Sequence, residues 1–68
     1  MTGHAEARVL DTLALAYEQT GDLGRAIEMQ SRAVEVAKRL RSIELRTLEA
    51  TLAKYQAAAK TTLDEQQN

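Results

Sequence analysis

His4 is the single imidazole of the sequence, and no cysteine accompanies it. It is therefore the one side chain whose ordinary pKa lies near neutrality and the one nitrogen ligand suited to a transition metal. Its nearest carboxylate is Glu6, and the positions three and four residues on are Ala7 and Arg8, so no ligand set forms around it. His4 reads as an exposed residue of a first helical turn. Ser31 and Ser42 are the next candidates. A nucleophilic serine needs a base in hydrogen-bond reach, and no His or Lys is arranged to supply one, since Lys38 and Arg39 lie about two turns beyond Ser31. Gly21-Asp22-Leu23-Gly24 superficially resembles a phosphate loop, but the Lys-Ser/Thr of such a loop is absent and no strand precedes it. A helix stop explains these glycines better. No catalytic residue, metal site or cofactor is expected, and the chain is not expected to be an enzyme.

Lys38, Arg39, Arg41 and Arg46 form a local basic cluster, with Glu35, Glu44 and Glu49 close by. No aromatic side chain interleaves with it, so cations at the carbonyl end of a helix explain it better than phosphate contacts do. The whole chain carries nine Lys and Arg against ten Asp and Glu, a formal charge of -1. Such a balance creates no field that would gather a polyanion or an anionic membrane surface. Leu13–Tyr17 is the longest apolar run, far short of the roughly 20 residues that span a bilayer. Neither nucleic acid nor membrane is expected as a partner. No secretory leader pattern opens the sequence. A cytoplasmic location is the default expectation.

The elements that carry these residues should all be helices. Twelve Ala and nine Leu favour helix, Val and Ile together number five, and proline is absent. Ala7, Leu10, Leu13, Ala14 and Tyr17 recur at three- and four-residue steps, which predicts a first helix over 4–20. Thr20-Gly21-Asp22 stops it, with Gly21 free to adopt a left-handed conformation and Asp22 able to cap the next helix. Ala26, Ile27, Gln30, Ala33, Val34 and Ala37 continue the stripe through a second helix over 22–39. Glu28–Arg32 and Glu35–Arg39 are supportive i,i+4 pairs on its outer side. So short a turn predicts an antiparallel hairpin, with Leu13, Ala14 and Tyr17 against Ala26, Ile27 and Ala33.

Leu45, Leu48, Leu52, Tyr55 and Ala59 form a heptad-like seam on a third helix over 42–60, and the polar residues 61–68 are expected to fray, as is the segment 1–3. Between the second and third helices there is no Gly or Pro. Either the chain breaks near 39–43, with Ser42 as a cap, or one helix of about 60 Å runs from Leu23 to about Thr62 and needs another chain to bury its far half. The break is favoured because folding back lets a single chain bury the seam.

Leu10, Leu13, Ala14, Tyr17, Gly21, Asp22, Leu23, Ala26, Ile27, Ala33 and Val34 together resemble one tetratricopeptide repeat, over about residues 7–40. The sequence departs from that pattern at Gln30, where a large aromatic is usual, and at Lys38, where a proline commonly ends the second helix. Leu52-Ala53-Lys54-Tyr55 resembles the Leu-x-x-Tyr of the helix that closes many such arrays. The resemblance implies an all-α fold: a hairpin plus a third, capping helix, in one domain over 1–68. It also implies a partner face on the first helix, formed by Arg8, Asp11, Thr12, Leu15, Glu18 and Gln19. Members that hold acidic chaperone tails carry Lys and Asn where this chain has Asp11 and Leu15, so that ligand class is not expected.

Two functions follow. One is a protein–protein interaction module, the terminal repeat of a scaffold, whose partner is a protein or peptide or the neighbouring repeats of a larger chain. The other is self-association, with the seam Leu45, Leu48, Leu52, Tyr55 and Ala59 shared between chains in a homo-oligomer. In that seam Tyr55 is expected to be a packing residue with a wet hydroxyl.

Overall fold

Three helices account for the chain in the computed structural model, which describes the backbone of residues 2–67 and the side chains of residues 5–61. They are α1 (Thr2–Gln19), α2 (Leu23–Leu40) and α3 (Leu45–Gln67). No strand occurs among the described residues, and the fold is all-α. The side chain of His4 and the residues Met1 and Asn68 lie outside what is described.

The C-terminal ends of α1 and α2 are built the same way. At the end of α1, Asp22 N–H donates to Tyr17 O at 2.8 Å and Gly21 N–H to Glu18 O at 3.1 Å, with Gly21 at φ 87°. That is a Schellman motif, in which a left-handed residue lets two amides reach back to carbonyls the helix has left unpaired. Asp22 then caps α2 by accepting from Arg25 N–H at 3.2 Å. At the end of α2, Ser42 N–H donates to Ala37 O at 3.0 Å and Arg41 N–H to Lys38 O at 3.2 Å. Here the left-handed position is Arg41, at φ 52°. The chain thus turns between α2 and α3 without a glycine or proline, and no continuous long helix forms.

Several expected boundaries move. Thr20 belongs to the turn, so α1 spans Thr2–Gln19 where 4–20 was expected, and α2 runs to Leu40. α3 starts at Leu45 where 42 was expected, because Ser42 Oγ accepts from Glu44 N–H at 3.1 Å and caps a preceding turn. The segments expected to fray are helical as far as the backbone is described: Thr2 and Gly3 open α1, and 61–67 continue α3.

The core is built from small residues on α1 and α2 and large ones on α3. Ala14 and Ala26 are fully buried where the hairpin is closest to its turn, and Tyr55 of α3 sits on them. Ala7, Ala33, Val34, Ala37 and Leu48 form a second cluster toward the other end, flanked by Leu10, Val36, Leu45 and Leu52. Alanine on both faces of the hairpin brings the backbones close, and the bulk of Leu48 and Tyr55 fills the furrow above. Two expected contacts shift. Ala33 closes on the Ala7 end of α1, since antiparallel helices pair late residues with early ones. Leu13, expected between α1 and α2, is 42% exposed because it stands one residue, or 100°, off the Ala7–Ala14 line.

Tyr55 of α3 lies level with Ala26, so the residues after it run past the hairpin turn. The 47 Å long axis of the molecule reflects a hairpin of about 27 Å extended by this overhang.

Candidate functional site: a groove between the first and third helices

The residues expected to meet a partner are on α1, and their position follows from the residues that are buried. Ala7 and Ala14 point into the core. Asp11 and Glu18, each four residues beyond them, are half-buried beside that line, while Arg8, Thr12 and Leu15 are exposed on the same side. α3 supplies the opposite bank, because the turn at 41–44 returns it along the hairpin with its seam inward. Between the helices a cleft of about 390 Å³ is lined by Arg8, Asp11 and Thr12 from α1 and Glu44, Thr47 and Leu48. A second cleft of about 250 Å³ continues it, lined by Asp11, Leu15 and Glu18 with Thr51, Lys54 and Tyr55. Asp11 borders both, so the two form one groove.

Five of the six residues singled out on α1 therefore line one groove: Arg8, Asp11, Thr12, Leu15 and Glu18. Gln19 does not line it and is exposed at the end of the helix. Sequence reading did not single out the second bank, Glu44, Thr47, Thr51 and Lys54. Their spacing of three and four residues, one step off the seam, was the available signal.

The groove is polar with one apolar patch. Asp11, Glu18 and Glu44 oppose Arg8 and Lys54. The ion pairs of the described residues, Asp22–Arg25 at 3.6 Å and Glu28–Arg32 at 3.2 Å, lie at the N-cap of α2 and along it, away from the groove. The groove charges are thus left to solvent or a ligand. Leu15 is 47% exposed along its edge. Tyr55 is 4% exposed, its ring on Ala14 and Ala26, and it borders the groove beside Glu18. Burial raises its phenol pKa above the ordinary value, and the carboxylates of Asp11 and Glu18 push it further in the same direction. Tyr55 thus stays a neutral hydroxyl through the physiological range.

The seam faces its own chain. Leu48 and Tyr55 are buried against α1 and α2, and Leu45, Leu52 and Ala59 are half-buried. Nearest the centre, Gln30 is fully buried, and its Nε2 donates to Leu48 O at 3.1 Å across the α2–α3 interface. Lys38 and Arg39 are exposed in the last turn of α2, where cations favour the helix dipole.

Among the described residues no group of three or more His, Asp or Glu is placed to hold a metal ion, and no helix is long and apolar enough to cross a membrane. No family model, no curated protein and no solved structure matches this chain.

Proposed function

We propose that this protein is a non-catalytic protein–protein interaction module: a tetratricopeptide-like terminal repeat whose α3 is the cap and whose α1–α3 groove holds a peptide segment of a partner, in a cytoplasmic setting. The observation that carries this reading is the groove itself. Five α1 side chains, three of them charged and one an exposed leucine, face a second polar bank across clefts of about 390 and 250 Å³. Surfaces of this kind select short peptides by placing a few charges around an apolar anchor. Support also comes from alanine at 14, 26 and 33, where the hairpin closes, and from α3 lying over the furrow that a further repeat would otherwise occupy.

Self-association through the α3 seam is the weaker reading, because Leu48 and Tyr55 would have to leave their own chain to pair with another.

The test is selection of a displayed random-peptide library on the intact chain, followed by NMR titration of a selected peptide. Expected are amide shifts at Asp11, Leu15, Thr51 and Tyr55, and at least a tenfold loss of affinity, about 1.4 kcal/mol, in Leu15→Glu and in Lys54→Glu. Selection of no peptide, or shifts confined to the outer side of α2, would sink the reading.

A further inference from the structure

The α1–α2 hairpin has two broad faces, and α3 covers only one. On the other, Leu10 and Val36 are half-buried against the core, while Leu13 and Val9 stand 42% and 58% exposed on adjoining turns of α1. A cleft of about 400 Å³ opens there between Glu6 and Leu10 of α1 and Arg32, Val36 and Arg39 of α2. Along the outer edge of this face α2 carries Arg25, Glu28, Arg32, Glu35 and Arg39, at steps of three, four, three and four residues. The sign alternates at every step.

We propose that this face binds a second copy of the chain, with the two α2 helices antiparallel across a two-fold axis near Gln30. The four charges Arg25, Glu28, Arg32 and Glu35 read backwards have the opposite sign at every place, so this stretch is complementary to itself in that orientation and needs no second protein. The register places Arg25 opposite Glu35 of the second copy and Glu28 opposite its Arg32, and the two-fold repeats both pairs. The hairpin sets Ala14 level with Ala26 and Ala7 level with Ala33, so the axis crosses α1 near residue 10. Val9, Leu10 and Leu13 of both copies then lie within one helical turn of the axis and meet each other.

Size and bonding capacity agree with this occupant. The face is about 27 Å long and about 20 Å wide. It can therefore bury roughly 1,000 Å² in all between two copies, at the lower edge for a specific interface, which implies reversible association in the micromolar range. Glu28 and Arg32 already meet at 3.2 Å within α2, yet their side chains remain 55% and 61% exposed. A guanidinium has five donors and a carboxylate two acceptor oxygens, so each can take a further partner across the axis. The groove lies on the opposite side of α1, so this association and peptide binding are independent.

Sedimentation equilibrium of the full chain from about 1 µM to about 1 mM tests the proposal. The expected mass rises from 7.5 kDa toward twice that value. Glu28→Arg and Arg32→Glu each set like charges opposite one another twice, and each should weaken association at least tenfold with helicity unchanged. An equimolar mixture of the two variants should restore the dimer, since the cation introduced at position 28 of one chain then faces the carboxylate introduced at position 32 of the other. Pairing within a helix cannot produce that recovery. Leu13→Gln should weaken association through the apolar centre, while Leu15→Glu should leave it unchanged. A constant mass of 7.5 kDa across the range, association indifferent to both charge variants, or a mixture that fails to recover would each overturn the proposal.

Discussion

Gln30 shows how one side chain can serve two purposes at a cost. It is fully buried, its Nε2 donates to the Leu48 carbonyl, and its Oε1 has no partner. The Leu48 carbonyl lies inside α3, where helical geometry supplies its own donor, so it does not depend on the amide. A buried neutral hydrogen bond contributes about 1 kcal/mol net, whereas a buried acceptor without a donor costs about 1–3 kcal/mol. Gln30→Leu, nearly the same volume, should therefore raise stability by about 1 kcal/mol, read as a rise of about 4–8 °C in the thermal midpoint by circular dichroism. A fall would show that the bond to Leu48 outweighs the lone acceptor. Polarity at 30 was legible in the sequence as the absence of an aromatic. Its role in joining α2 to α3 was not, because the partner is a backbone atom that no side-chain pattern reveals.

The two interhelix turns carry the same lesson at the scale of elements. Gly21 and Arg41 occupy equivalent positions in two Schellman motifs, at φ 87° and 52°. Glycine adopts this conformation freely, while any residue with a Cβ is disfavoured there by roughly 1–2 kcal/mol. The first turn was therefore legible from its Gly-Asp pair, whereas the second, carried by an arginine, offered only Ser42 as a cap. Tertiary packing supplies what residue preference does not: only a break at 41 lets Leu48 and Tyr55 return to the hairpin. Arg41→Gly should stabilise the chain by up to about 1 kcal/mol, and Gly21→Ala should destabilise it by about as much. Apart from its chain neighbours, no residue comes within 4 Å of where a Cβ at Gly21 would lie, so backbone strain alone is measured there. Urea denaturation of both variants checks the pair, and shifts of the same sign would contradict the shared geometry. The groove follows the same division. Its α1 bank is local to one helix and was legible, whereas its α3 bank depends on where the turn at 41 sends the chain.

At the scale of the whole molecule, stability depends on α3 returning to the hairpin through its buried side chains Leu48 and Tyr55. Leu48 is 6% exposed and shares a cluster with Ala7 of α1 and with Ala33, Val34 and Ala37 of α2, so it is the large side chain in a cluster drawn from all three helices. A single core of this size rarely supplies more than about 3–5 kcal/mol, and truncating a buried leucine to alanine removes about 2–5 kcal/mol. Leu48→Ala should therefore unfold a large fraction of the chain at room temperature, while Leu15→Ala, on the groove edge, should change stability by less than about 0.5 kcal/mol. The loss should extend beyond α3. Without Leu48 and Tyr55 above them, the alanines of α1 and α2 hold the hairpin by backbone proximity with little apolar area, too little to order two helices of 18 residues each. Far-UV circular dichroism of Leu48→Ala should show helicity falling across the whole chain in one step. A residual signal equal to α1 and α2 alone would mean that the hairpin folds by itself and that α3 is an accessory to it.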